Sequence, residues 1–368
     1  MNDRDDGSCV YGLRQQARCL AGVHNESDSS QFLVGTTGPK KDNHLHLLDF
    51  DDSTFTLQSS LYGHPQEIWD IATCPFNEHH FFTTYSNDDG SLGSSLWQKD
   101  PADHQEQTMS SRSDTSKDLK VLWAPCGEKS RIATVSDTSI AVYALDAGNH
   151  NVENITTWEI ENGKEASPWS VHNAIWSSHN DELIATYGST VAGWDVRSNK
   201  ATFERQRAHA SNIRSVDYNR NKPHHIVTGG DDAAMRIWDT RNLTSPLMEV
   251  VNHTHWIRSV AYNMVHDQLI LSSGSDTLVN LQSAVSVSSA SYMGKTLDSD
   301  DDESDSSMDE PRELPTDGLI KTYDQHEDSV YSVAWSHSDI WVFASLSYDG
   351  RVVVNRVPTS EKFKILGI

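Results

Sequence analysis

The segment AHASNIRSVDYNRNKPHHIVTGGDDAAMRIWDTR, residues 208–241, carries the landmarks that decide the fold. His209 precedes Asp232 by 23 positions, Thr228 lies between them, and Trp238 followed by Asp239 closes the segment. Between these landmarks, short runs with alternating apolar and polar residues are separated by turn residues, which is typical of short β-strands. The segment therefore predicts one small antiparallel sheet.

The same spacing returns twice, because His253 precedes Asp276 by 23 positions and His326 precedes Asp349 by 23. Four less complete copies precede these three. A single sheet of this kind leaves an apolar face uncovered. Sheets of about 40–45 residues each, stacked around an axis, cover one another. The repeats therefore predict a ring of seven similar sheets.

These landmarks resemble those of the WD-repeat β-propeller family. The resemblance implies that His209, Thr228, Asp232 and Trp238 form a hydrogen-bonded structural set, which satisfies polar groups that a blade would otherwise bury unpaired. We predict an all-β fold in which residues 1–368 form a single seven-bladed WD-repeat β-propeller. The predicted blades lie at about residues 10–58, 61–98, 118–146, 166–198, 208–242, 252–286 and 320–358.

The ring needs a closing strand, since an open ring leaves unpaired strand edges. Either residues 10–13 or residues 362–368 can supply the last outer strand. Two segments fall outside the blade pattern: a polar loop at 99–117 and an acidic insertion at 286–318, before the last blade. We predict that both are mobile loops and that the acidic insertion is disordered, because neither contains enough apolar surface to offset the entropy cost of ordering the chain.

The formal net charge is -24, and eight acidic residues between positions 298 and 310 supply a third of it. Such a chain is not expected to bind nucleic acid or an anionic membrane surface. Three serines of this segment each precede an acidic residue by three positions, a pattern that acidophilic kinases accept. The candidate phosphorylation sites are Ser299, Ser306 and Ser307; the alternative is an unmodified, solvated spacer.

Four cysteines without paired spacing, and a polar start without an apolar signal segment, predict a reducing cytosolic location. No apolar run is long enough to span a bilayer. The 18 histidines show no recognisable metal-ligand spacing, and the phosphate-binding and nucleophile motifs of common enzymes are missing. We therefore expect no metal, no cofactor and no catalysis, although a propeller channel can host an active site.

Candidate partner-binding residues emerge when the position five places after each landmark histidine is aligned. In WD-repeat propellers this position opens the innermost strand and faces the narrower side of the ring, around the central channel. Tryptophan, tyrosine and arginine dominate the binding energy of protein interfaces; the alternative is packing against the adjacent blade. The aligned residues are Trp69, Arg214, Arg258 and Tyr331, with Trp256 and Tyr348 at neighbouring positions.

A second candidate is the motif Trp-Asp-x-Arg, present at residues 194–197 and 238–241. It resembles the motif with which some propellers dock onto the adaptor of cullin-4 ubiquitin ligases, where an arginine presents a planar donor to an acidic partner. The candidate docking residues are Arg197 and Arg241. The alternative is that the tetrapeptide only ends a strand, as it does in many WD repeats.

Several longer phrases resemble one particular family, the EARP and GARP complex-interacting proteins. They are FLVGT at 32–36, NHLHLLDFDD at 43–52, VHDQLILSSGSD at 265–276, HEDSVYSVAWS at 326–336 and WVFASLSYDGRVVVNRVP at 341–358.

This resemblance implies a non-catalytic adaptor that binds subunits of the EARP and GARP tethering complexes. Such an adaptor acts peripherally at endosomes and the trans-Golgi network, in endosomal recycling, endosome-to-Golgi retrograde transport and dense-core vesicle maturation. A substrate receptor of a cullin-4 ubiquitin ligase is the alternative function.

Overall fold

The computed structural model contains seven four-stranded antiparallel sheets arranged as the blades of a propeller, followed by one helix, Thr359–Leu366. The prediction of an all-β, seven-bladed WD-repeat propeller is confirmed. Two short 3₁₀ turns, Val285–Val287 and Ser289–Tyr292, follow the third strand of blade 6. The structure describes residues 7–24, 29–38, 42–87, 90–99, 106–109, 118–125, 131–146, 151–160, 171–177, 179, 181–292 and 314–367.

Each blade is a meander whose strands run from the channel outward. The strands of blades 1 to 3 are Ala17–Gly22, Ser30–Thr36, Asn43–Asp51, Thr56–His64; Glu67–Thr73, His80–Ser86, Leu92–Lys99, Glu106–Met109; and Asp118–Trp123, Arg131–Ser136, Ser139–Asp146, Asn151–Glu159. Those of blades 4 to 6 are Val171–Trp176, Glu182–Tyr187, Thr190–Asp195, Lys200–Arg205; Ile213–Tyr218, His225–Gly230, Met235–Asp239, Met248–Val250; and Ile257–Tyr262, Leu269–Gly274, Val279–Ser283, Gly318–Tyr323. Blade 7 consists of Val330–Trp335, Val342–Ser347, Arg351–Arg356 and, as its outermost strand, Cys9–Gly12.

The N-terminal strand closes the ring. Cys9–Gly12 pairs antiparallel with Arg351–Arg356, with Cys9 opposite Val354. The backbone N–H of Leu13 extends this pairing by donating a hydrogen bond of 2.8 Å to the carbonyl of Gly350. Of the two closures that the sequence allowed, the structure contains the N-terminal one, and the C-terminal segment forms a helix instead.

The blade bounds differ from the predicted ones in one consistent way, which concerns the outermost strands. The predicted ranges for blades 3, 4 and 5 end before Asn151–Glu159, Lys200–Arg205 and Met248–Val250. An outermost strand pairs along one edge only and is largely exposed, so it needs no apolar alternation. Two other outermost strands were missed for the same reason. The segment 99–117, predicted to be a polar loop, contains the strand Glu106–Met109. The strand Gly318–Tyr323 pairs with the third strand of blade 6 and does not belong to the last blade.

The core lies between the blades. Among the described residues, buried apolar side chains form seven clusters, and each cluster joins two neighbouring sheets. The cluster between blades 7 and 1 contains Phe32, Phe50 and Val352, and the closing strand adds Tyr11 to it. Closure of the ring therefore buries apolar surface in addition to pairing a strand edge.

Blade 5 contains the hydrogen-bonded set expected of a WD repeat. The indole Nε1–H of Trp238 donates to Oγ1 of the fully buried Thr228 at 2.9 Å, and this oxygen lies 2.7 Å from Nε2 of His209. Because an indole can only donate, the threonine hydroxyl is free to donate to Nε2. Nδ1 of the neutral ring then donates to Asp232 at 2.9 Å. Gly230 leaves the room for this contact, since a Cβ there would lie 2.9 Å from Nδ1.

The other blades keep parts of this set. In blade 2, Thr83 receives a hydrogen bond of 2.7 Å from Trp97 Nε1 and lies 3.1 Å from His64 Nε2. In blade 7 the threonine is replaced by Ser345, whose Oγ lies 2.7 Å from His326 Nε2. A buried histidine thus links the start of the blade to its second strand in each case, and the start of the blade is where the candidate site lies.

The closing strand predicts the effect of a truncation. Deletion of residues 1–13 removes the outer strand of blade 7 and exposes one side of the cluster between blades 7 and 1. We expect the midpoint of thermal unfolding, measured by circular dichroism, to fall by about 5–10 °C. Deletion of residues 1–6 is the matched control and leaves the paired strand intact. Equal midpoints for the two truncations would contradict this closure.

A second prediction concerns the shared hydroxyl of blade 5. Thr228→Val conserves the volume of the side chain but leaves His209 Nε2 and the Trp238 indole without a partner. Because a buried polar group without a partner costs about 1–3 kcal/mol, we expect the free energy of unfolding to fall by about 2–5 kcal/mol in urea denaturation. The control is Thr254→Val at an exposed position. A loss no larger than that of the control would show that the hydroxyl bridge is unimportant.

Candidate functional site

A β-bulge marks the start of every innermost strand. In blade 2, Ile68 pairs with Tyr85 and Asp70 with Thr84, so Trp69 has no partner in the ladder. A bulged residue is turned out of the regular alternation, and bulges often direct a side chain toward a site. The residues at this position in blades 1 to 7 are Arg18, Trp69, Leu119, His172, Arg214, Arg258 and Tyr331.

The four residues that we aligned from the sequence occupy this bulge position, and the structure adds three that the alignment missed. The alignment started from the landmark histidine, which blades 1, 3 and 4 lack. The buried residue directly before the bulge is a signal that remains in blade 1 as Ala17 and in blade 4 as Val171. An alignment on that residue would have identified Arg18 and His172.

All of the bulge residues except Arg214 line a cavity of about 230 Å³ at the mouth of a central channel. Directly below the bulges the lining is polar. Lys120 Nζ donates to Asn173 Oδ1 at 2.9 Å. Burial raises the pKa of the Asp70 carboxyl group, and the charge of Lys120 partly opposes this increase. The interior of the channel is therefore polar, whereas arginine and aromatic side chains predominate at its mouth.

Arg18 lies among three aromatic rings at the mouth. Its guanidinium carbon is 4.8 Å from the ring centroid of Trp69, 5.3 Å from that of Tyr331 and 5.0 Å from that of Tyr348. The two tyrosine rings contact each other, with centroids 5.5 Å apart. These distances are within the range of cation–π attraction, so the rings hold Arg18 in place.

Arg258 continues the same cluster into blades 6 and 5. Its guanidinium carbon is 4.9 Å from the Tyr331 centroid and 5.0 Å from the Trp256 centroid. Arg214 approaches the Trp256 ring at 5.9 Å. All six residues proposed for partner binding thus belong to one group together with Arg18. We name this group the channel-mouth cluster: Arg18, Trp69, Arg214, Trp256, Arg258, Tyr331 and Tyr348.

The three guanidinium groups of the channel-mouth cluster differ in their partners. Arg214 is neutralised by Asp231, to which it donates two hydrogen bonds of 2.8 and 2.7 Å. Arg258 donates from Nε to the uncharged Ser275 hydroxyl at 2.7 Å. Within the described part of the chain, neither Arg18 nor Arg258 forms an ion pair with a carboxylate. Burial lowers the pKa of Arg258, and the neighbouring Arg214 and Arg18 lower it further.

The family model described as EIPR1 beta-propeller matches residues 6–282, and the model described as WD domain, G-beta repeat matches residues 318–354. The chain belongs to the EIPR1 β-propeller family. The predicted resemblance to the EARP and GARP complex-interacting proteins is confirmed, because the Homo sapiens protein of that name, EARP and GARP complex-interacting protein 1, is 35% identical over 391 residues. That match covers 98% of this chain and 99% of the human protein.

Relatives in distant organisms cover the chain to a similar extent. The EARP-interacting protein homolog of Dictyostelium discoideum is 33% identical over 386 residues, which cover 95% of this chain and 94% of that protein. The WD repeat-containing protein DWA2 of Arabidopsis thaliana is 34% identical over 357 residues, which cover 94% and 95%. These relatives therefore align with the whole propeller of this chain rather than with a single blade.

In this EIPR1-family propeller, the two Trp-Asp-x-Arg motifs lie on the face opposite the channel-mouth cluster, where the third strands of blades 4 and 5 end. Arg197 and Arg241 line one cleft of about 530 Å³ between these blades. Arg241 donates to Asp239 from Nη2 at 2.7 Å and from Nε at 3.0 Å, and its side chain is 64% exposed. The structure therefore brings both candidate docking arginines together.

The sequence also led to predictions about phosphorylation, metal binding and membrane-spanning segments. The candidate phosphorylation sites Ser299, Ser306 and Ser307 lie outside the described residues. Where the structure describes the chain, no three histidine, cysteine or acidic side chains are grouped to hold a metal ion. Within the same residues, no helix is long and apolar enough to cross a membrane.

Proposed function

We propose that this protein is a non-catalytic WD-repeat adaptor that binds the EARP and GARP tethering complexes through the channel-mouth cluster. The names of the EARP- and GARP-interacting relatives support the class of partner. The observation that carries the proposal is the cluster itself, in which arginine and aromatic side chains from five blades meet at one surface. These residue types supply most of the energy at protein interfaces.

Two tryptophans give the channel-mouth cluster its exposed apolar area. Trp69 is 38% exposed and Trp256 is 40% exposed, although each lies against a guanidinium group. Burying the free face of an aromatic ring contributes apolar transfer energy, while the arginine behind it limits the loss of side-chain entropy. The cluster is therefore preorganised to receive a partner.

The proposed cellular role is recruitment of the tethering complexes. Through them the adaptor acts in endosomal recycling, endosome-to-Golgi retrograde transport and dense-core vesicle maturation. It associates peripherally with endosomes and the trans-Golgi network through its partners and otherwise remains in the cytosol. The high negative charge of the chain is compatible with this arrangement, because it disfavours direct contact with an anionic membrane surface.

A pull-down from cytosol tests the proposal. The folded wild-type propeller is immobilised and the captured subunits of the EARP and GARP complexes are quantified by mass spectrometry. We expect Trp69→Ala combined with Trp256→Ala to reduce capture at least about tenfold, because each truncation removes a hot-spot side chain.

The matched control is Phe76→Ala, which removes an aromatic ring that is 57% exposed between the first and second strands of blade 2, on the opposite face. We expect capture by this variant to equal that of the wild type. Undiminished capture by the double tryptophan variant would exclude the channel-mouth cluster as the binding surface. Failure of the wild type to capture either complex would contradict the proposed function as a whole.

A substrate receptor of a cullin-4 ubiquitin ligase is the second candidate function. The observation in its favour is the shared cleft that Arg197 and Arg241 line between blades 4 and 5. Two arginines on one surface suit an acidic docking partner. Asp239 accepts hydrogen bonds from Nε and Nη2 of Arg241, so the N–H groups of Arg241 that Asp239 does not use are the ones left for a partner.

Charge reversal tests this second candidate. We expect Arg197→Asp combined with Arg241→Asp to abolish capture of the cullin-4 adaptor while the thermal midpoint stays close to that of the wild type, because both side chains are on the surface. The captured adaptor is measured by immunoblot of the same pull-down. Equal capture by parent and variant, or none by the parent, would eliminate the ligase function.

A further inference from the structure

Two arginines of the channel-mouth cluster, Arg18 and Arg258, form no ion pair with any carboxylate in the described part of this strongly acidic protein. The net charge of the chain is -24. Within the described residues, Arg18 and Arg258 contact aromatic rings, Arg258 also donates to one hydroxyl group, and the nearby Arg214 and Asp231 act on Arg258 electrostatically without an ion pair. Nε of Arg18 is buried without a hydrogen-bond partner among the described atoms. A partner that covers the channel-mouth cluster would also bury the remaining N–H groups of Arg18, so it must supply hydrogen-bond acceptors for them.

The aromatic neighbours determine which part of each guanidinium group remains available. The rings of Trp69, Tyr331 and Trp256 lie within cation–π distance of the two guanidinium groups. The N–H donors of a guanidinium group lie in its plane, and the contacts with the rings do not use them as hydrogen-bond donors. Two in-plane donors match the two oxygens of a carboxylate, which is the geometry of a bidentate pair.

The acidic insertion of the chain itself emerges on the other side of the ring. It connects Val279–Ser283 to Gly318–Tyr323, and these two strands meet where Ser283 pairs with Gly318. That end of blade 6 is opposite to the end where Trp256 precedes the innermost strand Ile257–Tyr262. Both points at which the insertion joins blade 6 therefore lie on the face opposite the channel mouth. An acidic segment of a partner can reach the channel mouth directly, and we take it as the occupant.

We propose that Arg18 and Arg258 bind carboxylate side chains of an acidic segment in the tethering-complex partner, while Trp69 and Trp256 pack against apolar residues beside those carboxylates. This inference rests on the proposed function and specifies the chemistry of the partner. Arg214 has a different role, because Asp231 already occupies its donors. It positions the Trp256 ring through the contact at 5.9 Å.

The test uses a neutral double variant, Arg18→Gln with Arg258→Gln, in the full-length chain. Hydrogen bonds between charged groups are stronger than those between neutral groups, so loss of two such contacts is expected to reduce capture of the tethering complexes by at least about tenfold. The matched control is Lys200→Gln, which removes one exposed positive charge on the opposite face, at the start of the outermost strand of blade 4, and is expected to bind normally. Circular dichroism shows whether each variant is folded.

Arg18→Lys with Arg258→Lys gives a second readout that does not depend on net charge. Lysine keeps the charge but lacks the planar pair of donors, so we expect it to restore less than half of the lost capture. Full restoration would show that charge alone attracts the partner and would overturn the bidentate carboxylate assignment. Normal capture by the folded glutamine variant would overturn the inference while leaving the proposed function intact.

A peptide measurement separates this inference from the proposed function. Fluorescein-labelled ELELEL and QLQLQL peptides are titrated with the wild type and the glutamine variant, and binding is followed by fluorescence anisotropy. We expect ELELEL to bind the wild type at least about tenfold more tightly than QLQLQL does, and this preference to disappear in the variant. If the wild type fails to capture the complexes yet keeps this preference, the proposed function fails and the carboxylate site remains.

The same titration examines two other occupants. If a phosphoserine hexapeptide, LpSLpSLpS, binds the wild type more tightly than ELELEL, the assignment to carboxylates is overturned. A variant that lacks residues 298–310 tests the chain's own acidic segment. We expect its affinity for ELELEL to equal that of the wild type; an increase of more than about tenfold would assign the channel mouth to the acidic segment of the chain itself.

Discussion

Each sheet must be covered by the next sheet around the ring, and the rest of this structure depends on that constraint. A four-stranded blade has two apolar faces and cannot bury either alone, so each of the seven clusters is shared by two neighbouring blades. The buried hydroxyl of Thr228, held between a histidine and an indole, then fixes where its blade starts relative to its second strand. Apolar burial holds the ring together, and the polar bridges set the position of each inner strand end.

That position links the fold to the site. The bulge at the start of each innermost strand turns one residue toward the channel mouth, and the ring places seven such residues side by side. The scaffold is nearly the same in every blade, whereas the side chain at the bulge is not: it is charged in blade 1, aromatic in blade 2 and apolar in blade 3. Chemistry at the channel mouth is therefore varied one blade at a time without disturbing the core.

The sequence predicted the ring and part of the channel-mouth cluster. Landmarks such as His209 and Trp238 have structural tasks that force a fixed spacing, so the number of blades could be counted. Outermost strands such as Lys200–Arg205 face solvent and need no apolar pattern, which is why they could not be located. Arg18 was missed because blade 1 lacks the histidine on which the alignment relied. Its three aromatic neighbours come from blades 2 and 7, and no local pattern encodes that proximity.

The closing strand also gives this protein an order of events during synthesis. Cys9–Gly12 leaves the ribosome early, but its pairing partner Arg351–Arg356 is made more than 300 residues later. At about 5–20 residues per second, the strand waits roughly 20–70 s for that partner. Arg18 waits as long, since Tyr331 and Tyr348 belong to the last blade. An unfinished chain therefore has no complete channel mouth. A partner can bind there only after blade 7 has been made and has packed against blade 1.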